Sequence, residues 1–175
     1  MEKRRDMNTN DLRYVKTETI MKQVYMDMKM KSTRPVKLVD LCKNAMINKT
    51  TFYSHYETLE EFHRHVCRDY IYSLLESCEN ITEAFSDTNL FVSGLVKTFA
   101  KNRKTLTALF GDNENDIISV VEDYLLEIYC QGETDSLKNL EIRFVIGGAT
   151  RILLNARDEE TLDKTVKMIR DVLFT

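Results

Sequence analysis

The chain has little of what bends a polypeptide: five glycines and one proline in 175 residues. A sheet protein reverses direction at turn residues after each strand, so this scarcity argues against an all-β architecture and for long helices with few corners. No stretch approaches the roughly 20 apolar residues that a membrane-spanning helix needs, so no membrane partner is expected. The first residues, MEKRRDMNTND, are charged and lack the apolar core of a secretory signal, and a cytoplasmic protein is expected. Cys42, Cys67, Cys78 and Cys130 form no CxxC pair and no metal-ligand spacing. Reduced, mostly buried thiols are the reading they support, with no metal and no other cofactor.

What is present fits a soluble helical protein, with 43% hydrophobic and 30% charged residues. The formal net charge of −3 does not by itself suggest a nucleic-acid partner. Its distribution does. Residues 1–66 hold 13 Lys and Arg against 9 Asp and Glu, giving +4, and the rest hold 12 against 19, giving −7. A basic front and an acidic back are expected where only one part of a chain meets a polyanion.

Residues 10–30 contain no Gly or Pro, and Leu12, Val15, Ile20, Val24 and Met28 recur at roughly helical spacing behind Asn10 as a cap. Pro35 then ends this helix by pushing its predecessor out of helical geometry. In VKLVDLCKNAMINKTTFYSHY, Leu38, Leu41, Cys42 and Ala45 share one face of a two-turn helix. Asn48 caps a second short helix over 49–55, and two short helices about a tight turn make a helix-turn-helix. Thr58 and Glu61 form a capping box for a long helix reaching about Cys78, lined by Leu59, Phe62, Val66, Tyr70 and Leu74.

The remainder reads as five more helices, over 88–101, 103–111, 114–132, 135–157 and 159–174, with Gly111 and Gly132 as stops. No segment alternates at period two. The expected fold is all-α, about nine helices, with a helix-turn-helix domain over 1–57 and a connector plus helical bundle over 58–175.

On the helix 49–55, Phe52 continues the inner face from Ile47 and should pack against Leu41 and Cys42. Lys49, Thr50, Thr51 and Tyr53 then project outward, a set of charge, hydroxyl and methyl groups suited to base edges and phosphates in a major groove. Arg34 and Lys37 flank the entry to this unit, where phosphate contact and plain solvation are both open to them. Backbone donors at the helix N-terminus, behind Asn48, suit phosphate as well.

The segment VKLVDLCKNAMINKTTFYSHYETLEEF resembles the DNA-binding signature of TetR/AcrR-family transcriptional regulators, most specifically in its TTFYSHY run. The resemblance covers about residues 10–65. It implies a DNA-binding regulator, most often a repressor, reading a palindromic site in double-stranded DNA. It further implies that Lys49, Thr50 and Thr51 face bases or nearby phosphates, and that Tyr53, His55 and Tyr56 clamp the backbone. A homodimer through the last two long helices and a small-molecule effector are implied too. Three positions depart from the pattern. Met46 stands where glycine is common, so a slightly different turn is expected. Lys37 replaces the usual hydroxyl cap, and Thr58 or Leu59 replaces a lysine at the next helix start.

Gly147 and Gly148 interrupt a strong helix at a cost of about 1 kcal/mol each relative to alanine. Close approach of another helix would offset that cost. Phe144, Gly147, Gly148, Arg151 and Ile152, with Leu162, Val166, Ile169 and Leu173 of the last helix, are the candidate homodimer interface. The other reading is a central helix buried within one subunit. Phe85, Phe91, Phe99, Phe110, Tyr124 and Tyr129 either line an effector pocket or fill the core, and of these Phe91, Phe99, Phe110 and Tyr124 are the pocket candidates. His63 and His65 point about 200° apart on a helix, which argues against a metal pair, and they read as two polar positions. No carboxylate pair or nucleophile suggests an enzyme. A reading from another class is a family-like adaptor that acts through a protein partner.

Overall fold

The computed structural model describes residues 12–83, 86–111 and 113–130, and beyond them residues 140, 143, 144, 147, 148, 150, 151, 154, 161, 164 and 167. Six helices are delimited: α1 Leu12–Lys31, α2 Leu38–Asn44, α3 Lys49–His55, α4 Leu59–Glu76, α5 Thr88–Phe110 and α6 Glu114–Cys130. The later described residues are helical as well, and there is no strand among the described residues. The chain divides into two compact units, Met1–Val66 and Cys67–Thr175.

In the first unit, α2 and α3 are joined by four residues. Ile47 N–H donates to Cys42 O at 3.0 Å and Met46 N–H to Lys43 O at 3.3 Å. This double bond pattern is the Schellman closure of a helix, which places its C′ residue in the left-handed region. That residue is Met46, with φ 54°. The expectation of an altered turn is therefore corrected: the backbone takes the glycine geometry with a methionine in it. The side chain finds room because it is 93% exposed.

The core of this first unit, the head, is aromatic. Phe62 sits at its centre, with ring centroids at 4.9 Å to Tyr56, 5.3 Å to Tyr25 and 5.6 Å to Phe52, all edge-on. Edge-to-face pairs of this kind contribute about 0.5–1.5 kcal/mol each beyond their burial. Met21, Leu41, Cys42, Ala45 and Val66 complete the core, so the first turns of α4 belong to the head.

The inner face of α1 differs from the one expected. Leu12, Val15 and Ile20 are exposed, and the buried residues are Met21 and Tyr25, with Tyr14, Glu18 and Met28 half-buried on the same stripe. The stripe 14, 18, 21, 25, 28 is as helical as the one predicted. It was hidden because its members are tyrosine, glutamate and methionine, while stronger hydrophobes stand elsewhere. The expected cap Asn10 lies outside the described residues.

In the second unit, residues 88–110 form one continuous helix, not the two expected with a break near Asn102. Asn102 does not cap a new helix. Its amide N–H donates to Thr98 O one turn back at 2.8 Å, and its carbonyl accepts from Tyr70 Oη at 3.1 Å, so both ends are engaged in mid-helix. Asp87 caps α5 by accepting from Leu90 N–H at 3.1 Å, and Gly111, with φ 60°, closes it. A Cβ on Gly94 would lie 2.1 Å from the carbonyl oxygen of Glu79, so α5 passes that strand of backbone too closely for any side chain. Ile117, Val121, Tyr124 and Leu125 of α6 are buried, and Val120 and Ile128 are half-buried.

Candidate nucleic-acid interface

Asn48 defines where α3 begins. Its side-chain oxygen accepts from Thr51 N–H at 2.7 Å and from the Thr51 hydroxyl at 3.1 Å, satisfying one of the helix's unpaired donors. Both side chains are thereby partly spent on each other. Phe52, three residues on from Lys49, is wholly buried, and that fixes the helix's rotation. Thr50 falls on the opposite side, Lys49 and Tyr53 flank the buried face, and all three are exposed, Tyr53 by 56%. Arg34 and Lys37 are exposed too, and Lys37 occupies the N-cap position of α2 without forming a cap.

Two residues expected on this surface are turned elsewhere. Tyr56 is only 6% exposed and donates its hydroxyl to Glu18 at 2.6 Å. His55 is half-buried, its ring stacked on Tyr14 with centroids 3.7 Å apart and planes 20° from parallel. Its Nδ1 is buried with no hydrogen-bond partner. Burial holds the imidazole below its ordinary value; Glu18 pulls the other way and Lys22 adds to the lowering. Burial also works against ionisation of Glu18, but hydrogen bonds from Lys22 and Tyr56 outweigh it and leave the carboxyl below its usual range. Sequence reasoning missed this group on α1. Its signal was the i, i+4, i+8 set Tyr14, Glu18 and Lys22.

The buried thiol of Cys42, beneath α3, is pushed up by burial, against the pull of Lys49. Cys42, Cys67 and Cys78 are free thiols. His63 Nδ1 pairs with the Tyr25 hydroxyl at 3.0 Å, and no cluster that could hold a metal exists among the described residues.

The arrangement is a capped two-turn helix, presented by a tight turn and backed by an aromatic core, with a lysine, a threonine and a tyrosine outermost. Structural comparison finds the same architecture elsewhere. A TetR transcriptional regulator from Streptococcus agalactiae 2603V matches over 94% of this chain and 97% of its own, with a TM-score of 0.62 and 16% identity. The fold is TetR-like. A transcriptional regulator of the TetR/AcrR type from Aquifex aeolicus VF5 matches over 90% of this chain and 97% of its own, at a TM-score of 0.50 and 16% identity. No protein-family model and no curated protein matches the sequence.

Within the TetR-like fold, the candidate interface residues of the second unit divide. Phe144 is 72% exposed, and Gly148 would carry a Cβ into open space. Gly147 instead faces α6, where its Cβ would lie 3.3 Å from Glu122 Oε1. Arg143 pairs with Glu122 at 3.2 Å and Arg151 donates to Asn115 at 2.6 Å. This segment therefore runs antiparallel to α6, with Leu140, Phe144 and Gly148 facing away from it. Ile152, Leu162, Val166, Ile169 and Leu173 lie outside the described residues.

Of the four pocket candidates, Phe99 lines a cavity of about 200 Å³, together with Leu106, Ile117, Leu154, Arg103 and Glu114. Phe91, Phe110 and Tyr124 are buried in the core, Tyr124 with its ring edge-on to Tyr72 at 4.9 Å. Phe85 lies outside the described residues, and Tyr129 donates its hydroxyl to Ile81 O at 2.7 Å. No helix among the described residues is long and apolar enough to cross a membrane.

Proposed function

We propose that the protein is a homodimeric, DNA-binding transcriptional regulator that reads a palindromic operator with α3 in the major groove. The observation that carries this reading is the orientation of α3. Phe52 is wholly buried while Lys49, Thr50 and Tyr53 stand exposed on the second helix of a helix-turn-helix. Tyr53 touches Phe52 edge-on at 5.6 Å and yet stays more than half exposed, and the chemistry of an exposed lysine and tyrosine with a neighbouring hydroxyl matches phosphate and base-edge recognition. The +4 charge of residues 1–66, against −7 for the rest, supports placing the DNA on that side. The likeness of fold to transcriptional regulators supports the same class.

Dimerisation is supported by the exposed Leu140, Phe144 and Gly148 on one face of a helix, an apolar side with room for a second helix to approach. Ligand response is supported by the cavity beside Phe99, whose wall mixes apolar side chains with Arg103 and Glu114. Repression follows as the default action of a protein that occupies an operator until released.

The test is a gel-shift titration with the duplex that wild type selects. Lys49→Ala and Tyr53→Ala each weaken binding by about 1–3 kcal/mol, or roughly five- to 150-fold. The melting temperature is unchanged in Lys49→Ala and lower by only about 2–4 °C in Tyr53→Ala, which loses its edge-on contact with Phe52. Lys49→Ala also lowers the slope of log K against log salt by about 1. Unchanged affinity for both variants contradicts the placement of α3. An adaptor working through a protein partner would select no palindrome at all.

A further inference from the structure

We propose that Tyr14, Glu18 and Lys22 of α1 form a latch that grips the C-terminal end of α3 through His55 and Tyr56, and so sets the angle at which the reading helix meets DNA. The proposal rests on the DNA-reading function above and reassigns His55 and Tyr56 from contacting DNA to positioning the helix that does.

The need for such a device follows from the size of α3. Seven residues make two turns, too few to hold a helix or its direction without outside anchors. The N-terminal end is anchored by the Asn48 cap and the Schellman turn, and the middle by Phe52. A helix pinned at one end and at one side chain can still pivot about that side chain. The latch removes this freedom at the far end with two independent contacts. One is the Tyr14–His55 stack, at 3.7 Å and 20°. The other is a chain of hydrogen bonds: the Tyr56 hydroxyl donates to Glu18 at 2.6 Å, and Lys22 Nζ reaches the same carboxylate at 2.6 Å. Tyr14, Glu18 and Lys22 stand one turn apart along α1, so a single helix face supplies both contacts.

The chemistry suits a positioning role better than a phosphate contact. A ring stacked on tyrosine, with Nδ1 buried and unpaired, cannot take up a second proton there without leaving an N–H lacking an acceptor. His55 thus works as a neutral ring. The groups that face it are Tyr14, Glu18 and Lys22 from α1 and Tyr56 next along the chain, while His65 of α4 meets Tyr56 edge-on at 5.3 Å. Acidification charges the ring, breaks the fit and frees the end of α3.

Two pairs of variants test the latch, each in the full-length protein. Tyr14→Ala and His55→Ala remove the stack, and Tyr14→Phe and His55→Phe keep it. Hydrogen exchange of the amides of residues 52–56, measured without DNA, should speed up about three- to tenfold in the alanine variants and match wild type in the phenylalanine variants. Affinity for the selected duplex at pH 7.5 should fall by the same factor in the alanine variants and be restored by phenylalanine. Wild type should lose affinity between pH 7.5 and 5.5 to a degree that His55→Phe does not share. Unchanged exchange in the alanine variants overturns the latch. Equal loss of affinity in His55→Phe and His55→Ala, with normal exchange in the former, makes His55 a DNA contact and overturns its positioning role. Should wild type select no duplex, the DNA-reading function fails, and the exchange data then decide the latch by themselves.

Discussion

Met46 holds a Cβ in the left-handed region at the tip of the α2–α3 turn, with nothing packed around its side chain to repay the strain. The conformation costs about 1–2 kcal/mol for an ordinary residue. Glycine would relieve that cost but lose more freedom on folding, by about 0.5–1 kcal/mol. Met46→Gly should therefore stabilise the protein by roughly 0.5–1 kcal/mol and raise the melting temperature by about 2 °C. Calorimetry checks it, and a lower melting temperature would mean that the methionine side chain contributes something its exposure does not suggest. The pH response also belongs to single residues. His55 in the fold sits below its ordinary value of about 6.5, so the folded head prefers the neutral ring and the unfolded chain takes up the proton first. This contribution to stability is complete above about pH 6.5 and is lost as the pH falls below it. Glu18, also lowered, adds a second loss on further acidification, below the usual glutamate value of about 4.3. The melting temperature should thus drop between pH 7.5 and 5.5, and His55→Phe should flatten that drop.

Elements are where the sequence was most and least readable. The helix-turn-helix was legible because its parts are local: Asn48 caps, Phe52 is buried, and Lys49 and Tyr53 are exposed within the same two turns. Helix α1 was misread because burial there depends on a partner. Tyr25 is buried and Tyr14 and Glu18 are half-buried because His55, Tyr56, Phe62 and His63 offer stacking and hydrogen bonds, and no property of α1 alone announces those partners. Helix α5 was divided at Asn102, and the bonds of that residue to Thr98 and Tyr70 show that it serves mid-helix. The tight passage of α5 at Gly94 gives a prediction. Gly94→Ala drives a Cβ into the Glu79 carbonyl, which must move because backbone cannot swing aside as a flexible side chain can. A loss of about 3 kcal/mol is expected, seen as a melting temperature lower by roughly 6–12 °C. Gly148→Ala, open on all sides in one subunit, serves as the contrast within that subunit and should not share the loss unless a second copy lies against it.

For the whole molecule, the proposed function requires two heads held on one axis. The exposed Phe144 beside Leu140 and Gly148 is the side on which a second copy would sit. Sedimentation should find wild type at twice the 20.5 kDa of the chain, and Phe144→Asp at the mass of one chain with reduced operator affinity. Wild type sedimenting as a single chain would remove the dimer and with it the palindrome. The direct test of the central claim is selection of bound duplexes from a random pool at moderate salt, using the intact protein. An inverted repeat should emerge, with half-sites about one helical turn, roughly 34 Å, or somewhat more apart, and it should be lost with Lys49→Ala. A pool that gains no inverted repeat would contradict the account.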